Sequence, residues 1–105
     1  MTDLMPAAAL ILPNLSPEER AKAALAIARS AAESGDCLAA EVAQDECRRA
    51  LDEASGASAE VIVSHPFTAA ARDAEAETRR VGEVLADVCL LHSRARVVAR
   101  RRARA

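Results

Sequence analysis

The fold is decided by residues 67–99, which read FTAAARDAEAETRRVGEVLADVCLLHSRARVVA. Small and apolar side chains recur through this stretch at alternating intervals of four and three residues, from Phe67 to Ala99. Such spacing places them on one side of a helix, and its length is typical of a helix with a coiled-coil-like seam. No proline interrupts the pattern, and Gly82 is its single glycine. The sequence therefore predicts one long helix in the C-terminal half.

Two shorter helices are predicted upstream of the long one. Ser16 and Glu19 match a capping box at the start of the first helix, and Gly35 is suited to end it. Asp36 can cap a second helix, which the run Ser-Gly-Ala-Ser at 55–58 should stop. A connection this short between two helices indicates an antiparallel hairpin.

Each hairpin helix has one predicted inner face, made mostly of alanine in the first helix and of larger apolar residues with alanine in the second. The β-branched residues at 60–63 follow the second helix, and we interpret them as a short extended connector, with one helical turn as the alternative. The residues expected to point inward are Ala21, Ala24, Leu25, Ala28, Ala31 and Ala32 in the first helix, and Leu38, Val42, Cys47, Ala50, Leu51 and Ala54 in the second.

Composition supports an all-α fold for these 105 residues. Hydrophobic residues make up 51% of the chain, half of them alanine, and Phe67 is the only aromatic residue. Strands prefer the β-branched and aromatic residues that are scarce here, so a β-sandwich or barrel is excluded. We predict a helical hairpin packed against one long C-terminal helix. The domain organisation is an apolar N-terminal arm (1–15), a single helical domain (16–93) and a basic tail (94–105).

Charge is divided unevenly along the chain. Residues 94–105 contain six arginines and no acidic residue, whereas all 16 acidic residues lie upstream. A basic segment on an acidic body is typical of an interaction tail. The tail could bind nucleic acid or another polyanion, dock on an acidic protein, or simply end the helix. The residues assigned to polyanion binding are Arg94, Arg96, Arg100, Arg101, Arg102 and Arg104.

A length mismatch between the predicted helices indicates a surface for self-association. A helix over 67–99 would span about 50 Å, and each hairpin helix only about 27 Å. The arm of the same chain or the long helix of a second copy must then cover the rest of the long helix. We favour the second copy, because closed two-fold dimers are the commonest oligomers. The residues assigned to self-association or to a partner are Val81, Val84, Leu85, Val88, Leu91 and His92.

Metal binding and catalysis are not indicated. The three cysteines show no zinc-type spacing, and Cys89 with His92 would supply only half of a metal site. With two histidines and no nucleophile motif, the chain lacks the usual parts of a catalytic site. A helix-turn-helix is also excluded, because Ser34, Asp36 and Glu41 fall where that motif needs apolar residues. We predict a non-enzyme without cofactor or metal.

The number of cysteines and the apolar N-terminal segment give evidence about the cellular compartment. An odd number of cysteines, without a recognisable signal peptide, predicts a reducing cytoplasmic environment. The apolar stretch Leu4 to Leu15 contains two prolines and is too short to span a membrane. We expect no membrane association.

These observations favour a small non-catalytic helical interaction protein. It would act as an adaptor, regulator or inhibitor that docks on a larger protein, as a homodimer, in the manner of short helical regulators of bacteria and phages. The alternative is a nucleic-acid-associated protein that holds phosphates through its arginine tail.

Overall fold

The computed structural model describes residues 15–104, which form three α-helices joined by two turns. The helices are α1 (Pro17–Ser34), α2 (Cys37–Ser64) and α3 (Ala69–Arg104), and each packs against both others. The all-α prediction, with a hairpin packed on a long C-terminal helix, is confirmed. The predicted N-terminal arm lies outside the described residues, apart from Leu15.

The first hairpin is closed by the local signals that the sequence predicts. The hydroxyl of Ser16 accepts a hydrogen bond from the backbone N–H of Glu19, whose carboxylate accepts one in return, so the capping box is formed. Gly35 ends α1 with a left-handed φ of 73°, and the carboxylate of Asp36 caps α2. These two residues therefore reverse the chain within a very short turn.

The predicted end of the second helix is wrong. α2 continues through residues 55–58 to Ser64, so residues 60–63 are helical and not extended. Apart from the adjoining helix backbone, nothing lies within 4 Å of the place where a Cβ on Gly56 would be, so this glycine only weakens the helix, by about 1 kcal/mol. Ser58 is buried, and Val61 and Ile62 are half-buried. Packing along the α2–α3 hairpin outweighs the weak local preference for a break.

The third helix begins two residues later than predicted. The hydroxyl of Thr68 accepts a hydrogen bond from the backbone N–H of Ala71 at 3.1 Å, which caps a helix that starts at Ala69. Phe67 therefore lies in the turn, with a φ of 65°, and not on the helical seam. Beyond the turn the predicted seam is present, because Ala71, Val81, Val88 and Ala95 are all buried.

The core is built from small side chains. Val81, Val88 and Cys47 are its largest fully buried residues, and the rest of the central cluster is alanine. Small side chains let the helix backbones approach closely, so the interior is packed without aromatic residues. The predicted inner face of α2 is wrong at Leu38 and Val42, which are 72% and 45% exposed, because they lie on the side of α2 opposite its buried alanines.

Candidate interaction surfaces

The residues assigned to self-association do not form a free surface. Val81 and Val88 are fully buried, and Val84, Leu85 and Leu91 are partly buried against the same core. That assignment assumed that the middle of the long helix was left uncovered. The assumption is wrong, because the α1–α2 hairpin covers this part of α3: Leu51 lies beside Gly82, and Gln44 contacts Cys89 and His92.

His92, the sixth residue of that set, is held by a contact within the chain. Its Nδ1 lies 2.8 Å from Oε1 of Gln44, and Nε2 of Gln44 donates a hydrogen bond to Sγ of Cys89 at 3.0 Å. One glutamine thus links two half-buried polar side chains of α3 to α2. His92 is therefore packed within the fold and is not part of a free association surface.

Cys47 has the burial predicted for it. Burial, followed by the neighbouring Cys89 thiol, raises the pKa of Cys47 to about 11. Its thiol is therefore neutral at physiological pH and behaves as a small apolar side chain. Within residues 15–104, no cluster of three or more histidine, cysteine or acidic residues is placed to hold a metal ion.

The exposed large apolar residues fall into two groups. Val63 and Phe67 lie at the α2–α3 turn and are 83% and 97% exposed. The other group lies near the opposite end, where the α1–α2 turn meets the end of α3, as the shared cluster of Ala31, Ala40 and Ala95 shows. Its members are Leu38 and Val42 of α2 and Leu90 and Val97 of α3.

We call Ile62, Val63, Pro66 and Phe67 the Phe67 surface. Phe67, Ile62 and Pro66 line an open depression of about 380 Å³ together with Ala71, Arg72 and Glu75. Sequence reasoning placed Phe67 on the helical seam. The signal that it missed is Thr68, a residue type favoured as a helix cap, which puts the helix start at the following residue.

Ion pairs show where α1 begins relative to the Phe67 surface. Arg80 of α3 binds Glu18 with its Nε at 2.8 Å, and this hydrogen bond lowers the pKa of the Glu18 carboxyl. Arg20 pairs with Glu53 of α2. The first turn of α1 is thus held between the middle of α2 and the middle of α3, and both helices continue beyond it to the turn that carries Phe67.

The arginines assigned to polyanion binding belong to α3 and not to a separate tail. The helix continues through them to Arg104, and Ala95 in their midst is fully buried. All six are exposed, and the guanidinium of Arg102 donates a hydrogen bond to the carbonyl of Ser34. At about 100° per residue they point to several sides of the helix, so they do not form one flat basic face.

The comparisons with known proteins assign no family. No family model, no curated protein and no solved structure matches the chain. Among the helices described here, none is both long and apolar enough to cross a membrane. The surfaces of the molecule therefore supply the evidence for its function.

Proposed function

We propose that this protein is a small, non-catalytic helical interaction protein that docks on a larger protein through the Phe67 surface. It would serve as an adaptor, regulator or inhibitor, acting as a homodimer. The observation that carries the proposal is that the only aromatic residue of the chain is 97% exposed.

An exposed phenylalanine contributes little to the fold that carries it. Burying its side chain against a partner would contribute about 1.5–3 kcal/mol, and large aromatic anchors dominate the energetics of many interfaces. Ile62 and Pro66, which line the same depression, extend the apolar area, while Arg72 and Glu75 give the depression a polar edge. An apolar centre with a charged rim is the usual composition of a protein–protein contact.

The backbone at Phe67 supports the same interpretation. A φ of 65° is unfavourable by about 1–2 kcal/mol for a residue with a Cβ, and glycine adopts it without that cost. Phenylalanine at this position is therefore unfavourable for local folding. Strain of this kind clusters at functional sites, which fits a side chain used for recognition.

The test replaces Phe67 by glycine, which suits the turn. The tagged wild-type protein and Phe67→Gly are used to capture partners from a lysate of the cells that encode the protein, and stoichiometric partners are quantified by mass spectrometry. We expect recovery of the principal partner to fall at least about 30-fold, the effect of losing an interface anchor worth about 2 kcal/mol.

Phe67→Leu is the matched control, since it keeps an apolar side chain and the same backbone strain. It should retain a substantial part of the binding. Equal recovery with wild type and Phe67→Gly would refute docking through this surface. Absence of any stoichiometric partner for the wild type would count against the interaction function as a whole.

Polyanion binding through the end of α3 is the second candidate function. Six exposed arginines on one continuous helix, without an acidic residue from Val88 to Arg104, support it. A duplex DNA titration at two salt concentrations should compare the wild type with Arg96→Gln/Arg100→Gln/Arg104→Gln. Each lost phosphate contact should reduce the salt slope by about 0.9.

Arg72→Gln/Arg79→Gln is the control for that titration, because these exposed arginines lie towards the other end of α3. Truncation after Ser93 is unsuitable, since it removes the buried Ala95. If the triple variant and the control bind duplex alike, the arginines at the end of α3 do not hold phosphate.

A further inference from the structure

We infer that two copies of this chain associate through a basic stripe on α3 and an acidic stripe on α2. This inference rests on the self-association included in the proposed function, and it assigns that contact to a surface different from the seam predicted from the sequence. Each stripe would be covered by the opposite stripe of a second copy of this chain.

The basic stripe consists of Leu90, Arg94, Val97 and Arg101. These positions are four, three and four residues apart, so they lie along one side of α3. All four are exposed, with Leu90 at 71% and Val97 at 41%. Two apolar side chains thus alternate with two guanidiniums on the outer side of the helix.

The acidic stripe has the same construction with the opposite charge. Leu38, Glu41, Val42 and Asp45 lie along one side of α2, and all four are exposed. Apolar side chains again alternate with charged ones. The two stripes contain all the exposed large apolar residues of residues 15–104 except the pair at the Phe67 surface.

Each stripe lies in a segment with charge of one sign, which Asp87 bounds before the basic stripe and Arg48 bounds after the acidic stripe. Residues 30–47 contain five acidic residues and no lysine or arginine, whereas residues 88–104 contain six arginines and no acidic residue. Among the described residues, no ion pair joins these two segments within one copy. The stripes therefore have complementary charges that one molecule leaves unmatched.

The position of the stripes suits a reciprocal contact. Ala40 of α2 and Ala95 of α3 belong to one buried cluster, so both stripes lie at the same end of the molecule. In a two-fold dimer the basic stripe of each copy would face the acidic stripe of the other. Such an arrangement closes on itself and matches both stripes at once.

Apolar contact explains why the occupant is a protein. Leu90 and Val97 gain nothing from a phosphate backbone, and the acidic stripe would repel it. Buried against the partner's Leu38 and Val42, they would contribute hydrophobic free energy, while the charges set orientation and specificity.

The decisive experiment is a charge exchange followed by light scattering. The first variant carries Arg94→Glu and Arg101→Glu, and the second carries Glu41→Arg and Asp45→Arg. Each alone places like charges opposite each other, so its dimer dissociation constant should rise at least about tenfold relative to wild type. An equimolar mixture of the two variants restores opposite charges at both contacts and should form a heterodimer of about twice 11.0 kDa.

The chain carrying all four exchanges should likewise dimerise, which covers the case in which one double variant folds poorly. Arg79→Glu, an exposed position on α3 outside the stripe, is the control and should leave the mass unchanged. Circular dichroism confirms that each variant remains helical.

Three outcomes would overturn the inference. A monomeric wild type removes self-association altogether. A dimer that neither double variant weakens places the contact elsewhere, and weakened variants that do not recover on mixing exclude the pairing of these two stripes. Docking through Phe67 is measured separately, by capture with Phe67→Gly, so its failure is distinguishable from each of these results.

Discussion

The two turns of this protein reverse the chain in different ways. Both contain a residue with left-handed backbone, Gly35 with a φ of 73° and Phe67 with a φ of 65°. The first turn uses glycine, is capped by Asp36 and packs closely against α3 near Val98. The second uses a bulky aromatic residue and leaves it in solvent. The first turn is suited to stability, whereas the second sacrifices local stability for an exposed side chain.

The largest effect is expected at the first turn, for Gly35→Ala. A Cβ there would lie 3.0 Å from Cγ1 of Val98 and 3.1 Å from the backbone N of Ala99, in addition to the unfavourable φ. We expect the free energy of unfolding to fall by more than about 2 kcal/mol, measured by urea denaturation.

Gly56→Ala is the control for that substitution. It lies inside α2, and beyond the adjoining helix backbone nothing is within 4 Å of the added methyl, so it should raise the free energy of unfolding by about 1 kcal/mol. Two identical substitutions should thus act in opposite directions. A loss at Gly35 no larger than that of an ordinary surface substitution would contradict the close packing of the first turn.

At the second turn, a substitution is expected to change the free energy of unfolding by a smaller amount and in the opposite direction to Gly35→Ala. Phe67→Gly relieves about 1–2 kcal/mol of backbone strain and loses part of that gain through the greater freedom of glycine in the unfolded chain. The free energy of unfolding should therefore rise by about 0.5–1 kcal/mol in urea denaturation. A decrease of more than about 1 kcal/mol would show that Phe67 packs as part of the fold, and the contrast between the turns would disappear.

The stability of the three-helix fold should decrease at alkaline pH as the buried Cys47 thiol ionises. Its pKa in the folded protein is about 11, above the usual 9.0, because the thiol is buried. The stability contributed by this neutral thiol is fully present below pH 9 and is lost as the pH rises through 11. Comparing wild type with Cys47→Ala by thermal unfolding from pH 7 to pH 11 should show the wild type losing more stability. Parallel curves would contradict the burial of the thiol.

The smallest effect is expected at the ion pair where α1 begins. Arg80 lowers the pKa of Glu18 below the usual 4.5, so the pair stabilises the fold above that pH and the stabilisation disappears as the pH falls through the folded pKa. Glu18→Gln should be slightly less stable than wild type at pH 7 and equal to it in strong acid. Since Arg80 is exposed and Glu18 is only half-buried, the difference at pH 7 should shrink in high salt. If the wild type remained more stable than Glu18→Gln in strong acid, the difference would come from packing and not from the ion pair.

The start of each helix could be predicted because its signals are local. Ser16 and Asp36 bind backbone groups within three residues of themselves, so their capping roles follow from the neighbouring sequence. Thr68 carries the same signal, and reading it would have moved Phe67 into the turn. The candidate surfaces were less predictable, because exposure depends on which faces the other helices cover.

The sequence by itself determined the helical class, the three helices, the first turn and the buried position of Cys47, because spacing and capping act over a few residues. Only the tertiary structure decided the length of α2. This helix continues through Gly56 because the part that follows the glycine packs on α3. That additional length lies along the first part of α3, where Ile62 and Ala71 line one depression, while Phe67 and the two charged stripes are on exposed faces of the bundle. Burial is a property of packed pairs of helices, so the periodicity of one helix indicates an apolar face but not what covers it.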